Sequence, residues 1–177
     1  MKNYFGIAAI SVLMACSSNP DKSKETKDTI ATNAVTAPAS NISFKEDTVQ
    51  ALYNSYIKLK DALVASKFDD AKSEAKTLQG KLKSYSGCEN TSLIANKIEN
   101  AKDIVDQRKQ FTSLSSDVIA LFKHADLKTG TVFVQHCPMA NKGEGGDWLA
   151  SEKKIQNPYY GSEMMECGAV IEEIKSK

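Results

Sequence analysis

The side chains with distinctive chemistry are few, and most of them lie close together. His136, Cys137 and Met139 fall within four residues, and Met164 and Cys167 follow about thirty residues later. Thiolate and thioether sulfur prefer Cu(I) and similar soft ions, and imidazole suits copper and zinc. Cys137 and Met139 are two residues apart, so in extended backbone they point to the same side. Met164 and Cys167 are three apart, so on a helical turn they share a face. Brought together, the two pairs supply a sulfur-rich metal site, with His136 or His124 as a substitute ligand. The same cysteines carry a second reading. In an oxidising compartment, Cys137 and Cys167 can form a disulfide that closes a loop of about 30 residues, worth roughly 3–4 kcal/mol by loop entropy. Both readings stand at this point, and the two states can alternate.

Other chemistries are poorly supplied. No Cys-x-x-Cys or His-Glu-x-x-His pattern occurs, as a standard zinc site would need. Gly143-Glu144-Gly145-Gly146 lacks the Lys-Ser/Thr of a phosphate loop. His136 and Cys137 are adjacent, so in a strand they face opposite sides and make a poor nucleophile–base pair. The expectation is a binding protein and not an enzyme. A thiol redox enzyme is a further class, and it predicts turnover with a disulfide substrate.

The chain has 177 residues, with 23 basic and 22 acidic side chains. A formal net charge of +1 supplies no field for nucleic acid. Six of the nine glycines and two of the four prolines lie between residues 130 and 168, so this segment is expected to be rich in loops. Thr131-Val132-Phe133-Val134-Gln135 reads as one short strand, in a hairpin or small sheet.

Between residues 42 and 127 there is no proline, and glycine occurs only at positions 80 and 87. Ser43-Phe44-Lys45-Glu46 reads as a capping box. Val49, Leu52, Tyr53, Tyr56, Leu59 and Leu63 then recur at helical spacing, and Lys58, Lys60 and Asp61 read as the solvated face. A break near residues 66–69 leads to a second stripe, Ala71, Ala75, Leu78 and Leu82, ended by Ser86-Gly87. A third stripe holds Leu93, Ile94, Ile98, Ala101, Ile104 and Val105, and a fourth holds Phe111, Leu114, Val118, Leu121 and Phe122. A turn near Asp106 is expected between them. The fold class is mainly α: an antiparallel helical bundle of three to four helices, then a small loop-rich segment with a short strand or hairpin.

The N-terminus reads as an address. Lys2 precedes an apolar run from Tyr4 to Met14 that is too short to span a bilayer. Leu13-Met14-Ala15-Cys16 resembles a bacterial lipobox, which implies cleavage after residue 15 and lipid on Cys16. Several acyl chains on one cysteine would anchor the protein stably. Residues 16–41 have the composition of a flexible tether, and residues 42–177 are expected to form one domain. Once residues 1–15 are removed, the mature chain carries equal numbers of acidic and basic residues. Its three methionines, Met139, Met164 and Met165, all lie in the C-terminal segment, and the helical region contains none. A methionine used only to fill gaps would be expected in the helical core too. The absence of Asp at Ser17 resembles an outer-membrane sorting signal.

The segment from 130 to 168 resembles a domain of unknown function known from Gram-negative lipoproteins. The same domain occurs on periplasmic adaptor subunits of copper/silver-type heavy-metal efflux pumps. The matching strings are Val134-Gln135-His136-Cys137-Pro138-Met139-Ala140, Trp148-Leu149, Ile155-Gln156-Asn157-Pro158-Tyr159-Tyr160-Gly161, Met164 and Cys167-Gly168. The resemblance extends weakly over the helices, to roughly residues 49–170. It implies heavy-metal handling, with copper as cargo and an efflux system as partner. It also implies Cys137, Met139, Met164 and Cys167 as ligands, with His136 supporting.

Overall fold

The computed structural model describes residues 41–176, all within a single compact unit. The expected signal peptide, Cys16 and nearly all of the tether lie outside the described residues.

Four helices dominate: α1 (Asp47–Val64), α2 (Phe68–Lys83), α3 (Glu89–Glu99) and α4 (Ile104–His124). Each packs on the next in sequence, and α4 and α1 also meet the C-terminal sheet. The apolar stripes explain α2 and most of α4. Ala71, Ala75, Leu78 and Leu82 are buried in α2, and Phe111, Leu114, Val118 and Phe122 in α4. In α2 the first turn carries Asp69 and Asp70 and the last carries Lys81 and Lys83, which matches the helix dipole at both ends.

Four local expectations are corrected. Ser43 and Phe44 do not cap α1. They form a strand, β1 (Ser43–Phe44), antiparallel to β2 (Leu127–Thr129), and Ser43 Oγ lies 2.8 Å from Thr129 Oγ1. The helix meets that strand differently, because Gln50 Oε1 accepts the Phe44 N–H at 2.9 Å. Lys60 is not on a solvated face. It is buried, with Nζ 2.6 Å from Asp61 Oδ1. The cause is that α1 touches α2, β1, the C-terminal sheet and a 3-10 turn, so its covered face is wider than one stripe. In α3, Thr91, Ser92, Ala95 and Ile98 are buried while Leu93 is exposed, as is Val105 in α4. Small side chains let α3 sit close to its two neighbours. The turn between α3 and α4 falls at residues 100–103, earlier than Asp106, because Asp103 is the N-cap and accepts the Asp106 N–H at 2.8 Å.

The strand expected at residues 131–135 is present, extends to Cys137 and is paired on both sides. The C-terminal segment forms a three-stranded antiparallel sheet in the order β4–β3–β5, from β3 (Thr131–Cys137), β4 (Gly146–Ala150) and β5 (Ala169–Lys175). β3 is central, and Val132 through Gln135 are buried on both of its faces. A string of aromatic rings joins the sheet to the helices. Tyr56 stacks on Phe111 at 5.5 Å between centroids, Phe111 meets Tyr159 at 5.8 Å, and Tyr159 meets Trp148 edge-on at 6.0 Å.

Candidate functional site: a paired-thiol centre

β3 delivers Cys137 at its C-terminal end, where the residue is fully buried. The chain then leaves through Pro138 and Met139 into a single left-handed turn (Ala140–Gly143). Asn141 adopts φ +53° there, a conformation its short amide tolerates. Its Nδ2 donates to Thr112 Oγ1 at 2.9 Å and to Gly145 O at 2.8 Å, which ties the turn to α4.

Cys167 arrives from the other side, just before β5. Asn157 holds it there. This residue has no exposed surface, and its Nδ2 donates to Cys167 O at 2.9 Å while its Oδ1 accepts the Tyr159 N–H at 2.8 Å. The Asn157 backbone N–H donates to Met165 O at 3.0 Å, and Cys167 N–H donates to Met164 O at 3.1 Å. Gly168 lets β5 approach at φ +145°. A Cβ there would lie 2.7 Å from His136 O and 3.0 Å from Trp148.

These constraints place Cys137 Sγ and Cys167 Sγ 2.8 Å apart. The two sulfurs differ in access, since Cys137 is buried and Cys167 is half-buried. The hydrogen bond that Cys167 donates to Cys137 raises the Cys167 thiol above its ordinary range. Partial burial adds to this, and the Met139 backbone N–H directed at the sulfur opposes it. Cys167 is therefore held as a thiol near neutral pH.

The other candidate residues divide. Met139 and Met164 are both exposed and flank Cys167 through their backbones. His136 points to the other side of β3 from Cys137, as strand alternation requires, and its Nδ1 lies 2.6 Å from Asp147 Oδ1. His124 lies elsewhere, in a groove of about 730 Å³ near the α2–α3 turn that also contains Cys88. Burial, followed by Glu89 and Asp117, pushes the Cys88 thiol up. Among the described residues, no three His, Cys, Asp or Glu side chains converge as a metal site. The other soft donors tied to this segment are the thioethers of Met139 and Met164.

The donor chemistry suits a soft ion, and the spacing sets a condition. Two thiolates bound at about 2.3 Å with a tetrahedral angle stand roughly 3.7–3.8 Å apart. The pair must open by about 1 Å to hold an ion between the sulfurs, and Cys167, in a turn, is the partner able to move. Sequence reasoning named the sulfurs but passed over the supports of their segment, Asn157 and Tyr160. The Asn-Pro dipeptide signals an Asx-type turn and was the available cue for Asn157.

The site and fold thus define a mainly helical domain with a closely spaced thiol pair on a small C-terminal sheet. Residues 52–130 match the family described as "Protein of unknown function (DUF3347)", so the helical part carries a domain of unknown function. The matched range stops at Gly130, before the first candidate ligand. No curated protein and no solved structure matches the chain.

Proposed function

We propose that the chain is a lipid-anchored periplasmic module that binds a soft metal ion, Cu(I), through Cys137 and Cys167, and serves heavy-metal handling or efflux. The anchor is Cys16, and the outer membrane is the expected site. The helices act as a supporting scaffold, and catalysis has no part in the proposal. The observation that carries it is the convergence of two thiols, 2.8 Å apart, beside two exposed methionines. His136 is the weakest of the proposed ligands, because it would first have to leave Asp147. The test is competition for Cu(I) between the reduced full chain and a chromogenic Cu(I) chelator. The unsubstituted protein is expected to retain Cu(I) against chelator concentrations that strip the Cys137→Ser, Cys167→Ser variant. Equal retention by the two proteins removes the proposal.

The sulfur separation also favours a second reading, an envelope interaction lipoprotein whose C-terminal segment is held by a Cys137–Cys167 disulfide. Intact mass and thiol count on protein from the periplasm, without reductant, separate the two. Free thiols at both positions, together with bound metal, support the first reading, and a mass two hydrogens lighter without metal supports the second.

A further inference from the structure

Cys137 has no exposed surface, so an ion arriving from solution or from another protein cannot meet it first. Cys167 is the accessible thiol of the pair, and Met139 and Met164 are tied to it through their backbones. These two methionines are 52% and 37% exposed, and they are two of only five large apolar side chains exposed among the described residues. Gap-filling methionines are buried, whereas these side chains reach solvent. Their backbones are nonetheless held in place. Tyr160 Oη donates to Met139 O at 2.6 Å, and the Met139 N–H is directed at Cys167 Sγ. Met164 N–H donates to Gly161 O at 3.3 Å, and Met164 O accepts from Cys167 N–H. Two flexible thioether arms thus spring from fixed points beside the one accessible thiol.

We propose that Met139 and Met164 form a transfer gate, where Cu(I) is received from and handed to thioether- or thiol-bearing donors, while Cys137 and Cys167 form the tight site. The proposal rests on the Cu(I) reading above. In the first step a thioether sulfur bonds to Cu(I) as one donor ligand leaves, and copper stays in the +1 state with no proton moved. In the second, the Cys167 thiol releases its proton to water as its sulfur bonds to the ion and another donor ligand leaves. Cys137 then repeats that exchange, and the thioethers let go. Neutral thioethers suit the first step because they bind a soft ion without releasing a proton.

The experiment is stopped-flow transfer of Cu(I) from a chromogenic chelator to the reduced full chain, comparing the unsubstituted protein with the Met139→Leu, Met164→Leu double variant. Leucine keeps the apolar bulk and removes the sulfur, and both positions are exposed, so folding is expected to be unchanged. The transfer rate is expected to fall about tenfold or more in both directions. The equilibrium distribution of copper between protein and chelator is expected to shift less than about threefold. An unchanged rate overturns the gate and leaves the binding reading intact. A loss of affinity as large as the loss of rate also overturns it, by making the methionines resident ligands. Failure of the unsubstituted protein to take any Cu(I) overturns both proposals.

Discussion

At the scale of single residues, the two cysteines are not equivalent, although they share one contact. Cys137 is a strand residue with no exposed surface, and Cys167 sits in a turn that solvent reaches. Their hydrogen bond favours the protonated form of Cys167, because the donated proton is lost when the thiol ionises. The folded protein then keeps a proton that the unfolded chain has already released. Stability of the reduced protein should therefore fall as pH rises through the ordinary thiol value of about 8.5 toward the raised one. Replacing Cys137 with Ala removes the hydrogen bond, which is the largest cause of the shift. The alkylation rate of Cys167, followed against pH by mass spectrometry, should have its midpoint above the ordinary thiol range in the reduced protein. The midpoint should move down in Cys137→Ala, and an unmoved midpoint would mean that Cys137 does not control its partner. Tyr56 obeys the same sign. Its phenol is pushed upward by burial, it hydrogen-bonds Ser115 Oγ at 2.7 Å and it accepts the Leu149 N–H.

At the scale of elements, Arg108 on α4 is a polar fastener that joins the end of α1 to the C-terminal segment. Its Nε donates to Pro158 O at 2.9 Å, and its Nη2 donates to Leu63 O at 3.0 Å and Ser66 Oγ at 2.8 Å. One guanidinium thus satisfies the last turn of α1 and fixes the loop that ends at Cys167. Gly161 packs under it at φ +59°, where a Cβ would stand 2.5 Å from Ser66 Oγ and 2.8 Å from Val64 O. Arg108→Lys keeps the charge but cannot span these three acceptors, and it should cost about 2–3 kcal/mol. Gly161→Ala should cost about 2 kcal/mol or more, through backbone strain and the clash with the α1 end. Urea unfolding checks both, with a lower midpoint and an unchanged slope expected, and a midpoint within error of the unsubstituted protein refuting the assignment. None of these contacts was visible in the sequence. The helices were legible because α2 and α4 carry clean apolar stripes that tertiary packing uses as written. The buried face of α3 was read only in part, at Ile98, because its other buried residues are Thr91, Ser92 and Ala95, which carry little hydrophobic signal. β4 and β5 were missed for a related reason. Gly146-Asp147-Trp148 reads as loop, and β5 places Glu172 and Glu173 on an edge strand where ion pairs with Lys123 and Lys153 hold them. The cysteines, by contrast, were legible as a pair, because residue type alone sets their chemistry.

At the scale of the whole molecule, the boundary of the matched family domain at Gly130 divides one continuous core. β1 pairs with β2 at one end of the helices, and Phe44, Tyr53 and Phe122 cluster there with centroids 5.1–5.5 Å apart. At the other end, α1 and α4 reach into the sheet through Tyr56, Phe111, Tyr159 and Trp148. Each such aromatic contact adds about 0.5–1.5 kcal/mol beyond area burial. Tyr56 and Phe111 have no exposed surface, so removing the sheet would uncover large rings in the middle of two helices. Helices and sheet should therefore unfold together. The sequence provides separate probes for the two parts. Far-ultraviolet circular dichroism follows the four helices, while fluorescence follows Trp148, the sole tryptophan, in β4. In urea, with the thiols kept reduced so that no cross-link biases the outcome, the two signals should trace one transition with a common midpoint. A chain ending at residue 130 should lose that sharp transition and show helix content that fades gradually with denaturant. Separate midpoints in the full chain, or a cooperative transition in the shortened one, would make the thiol-bearing sheet an independent appendage to the helical domain.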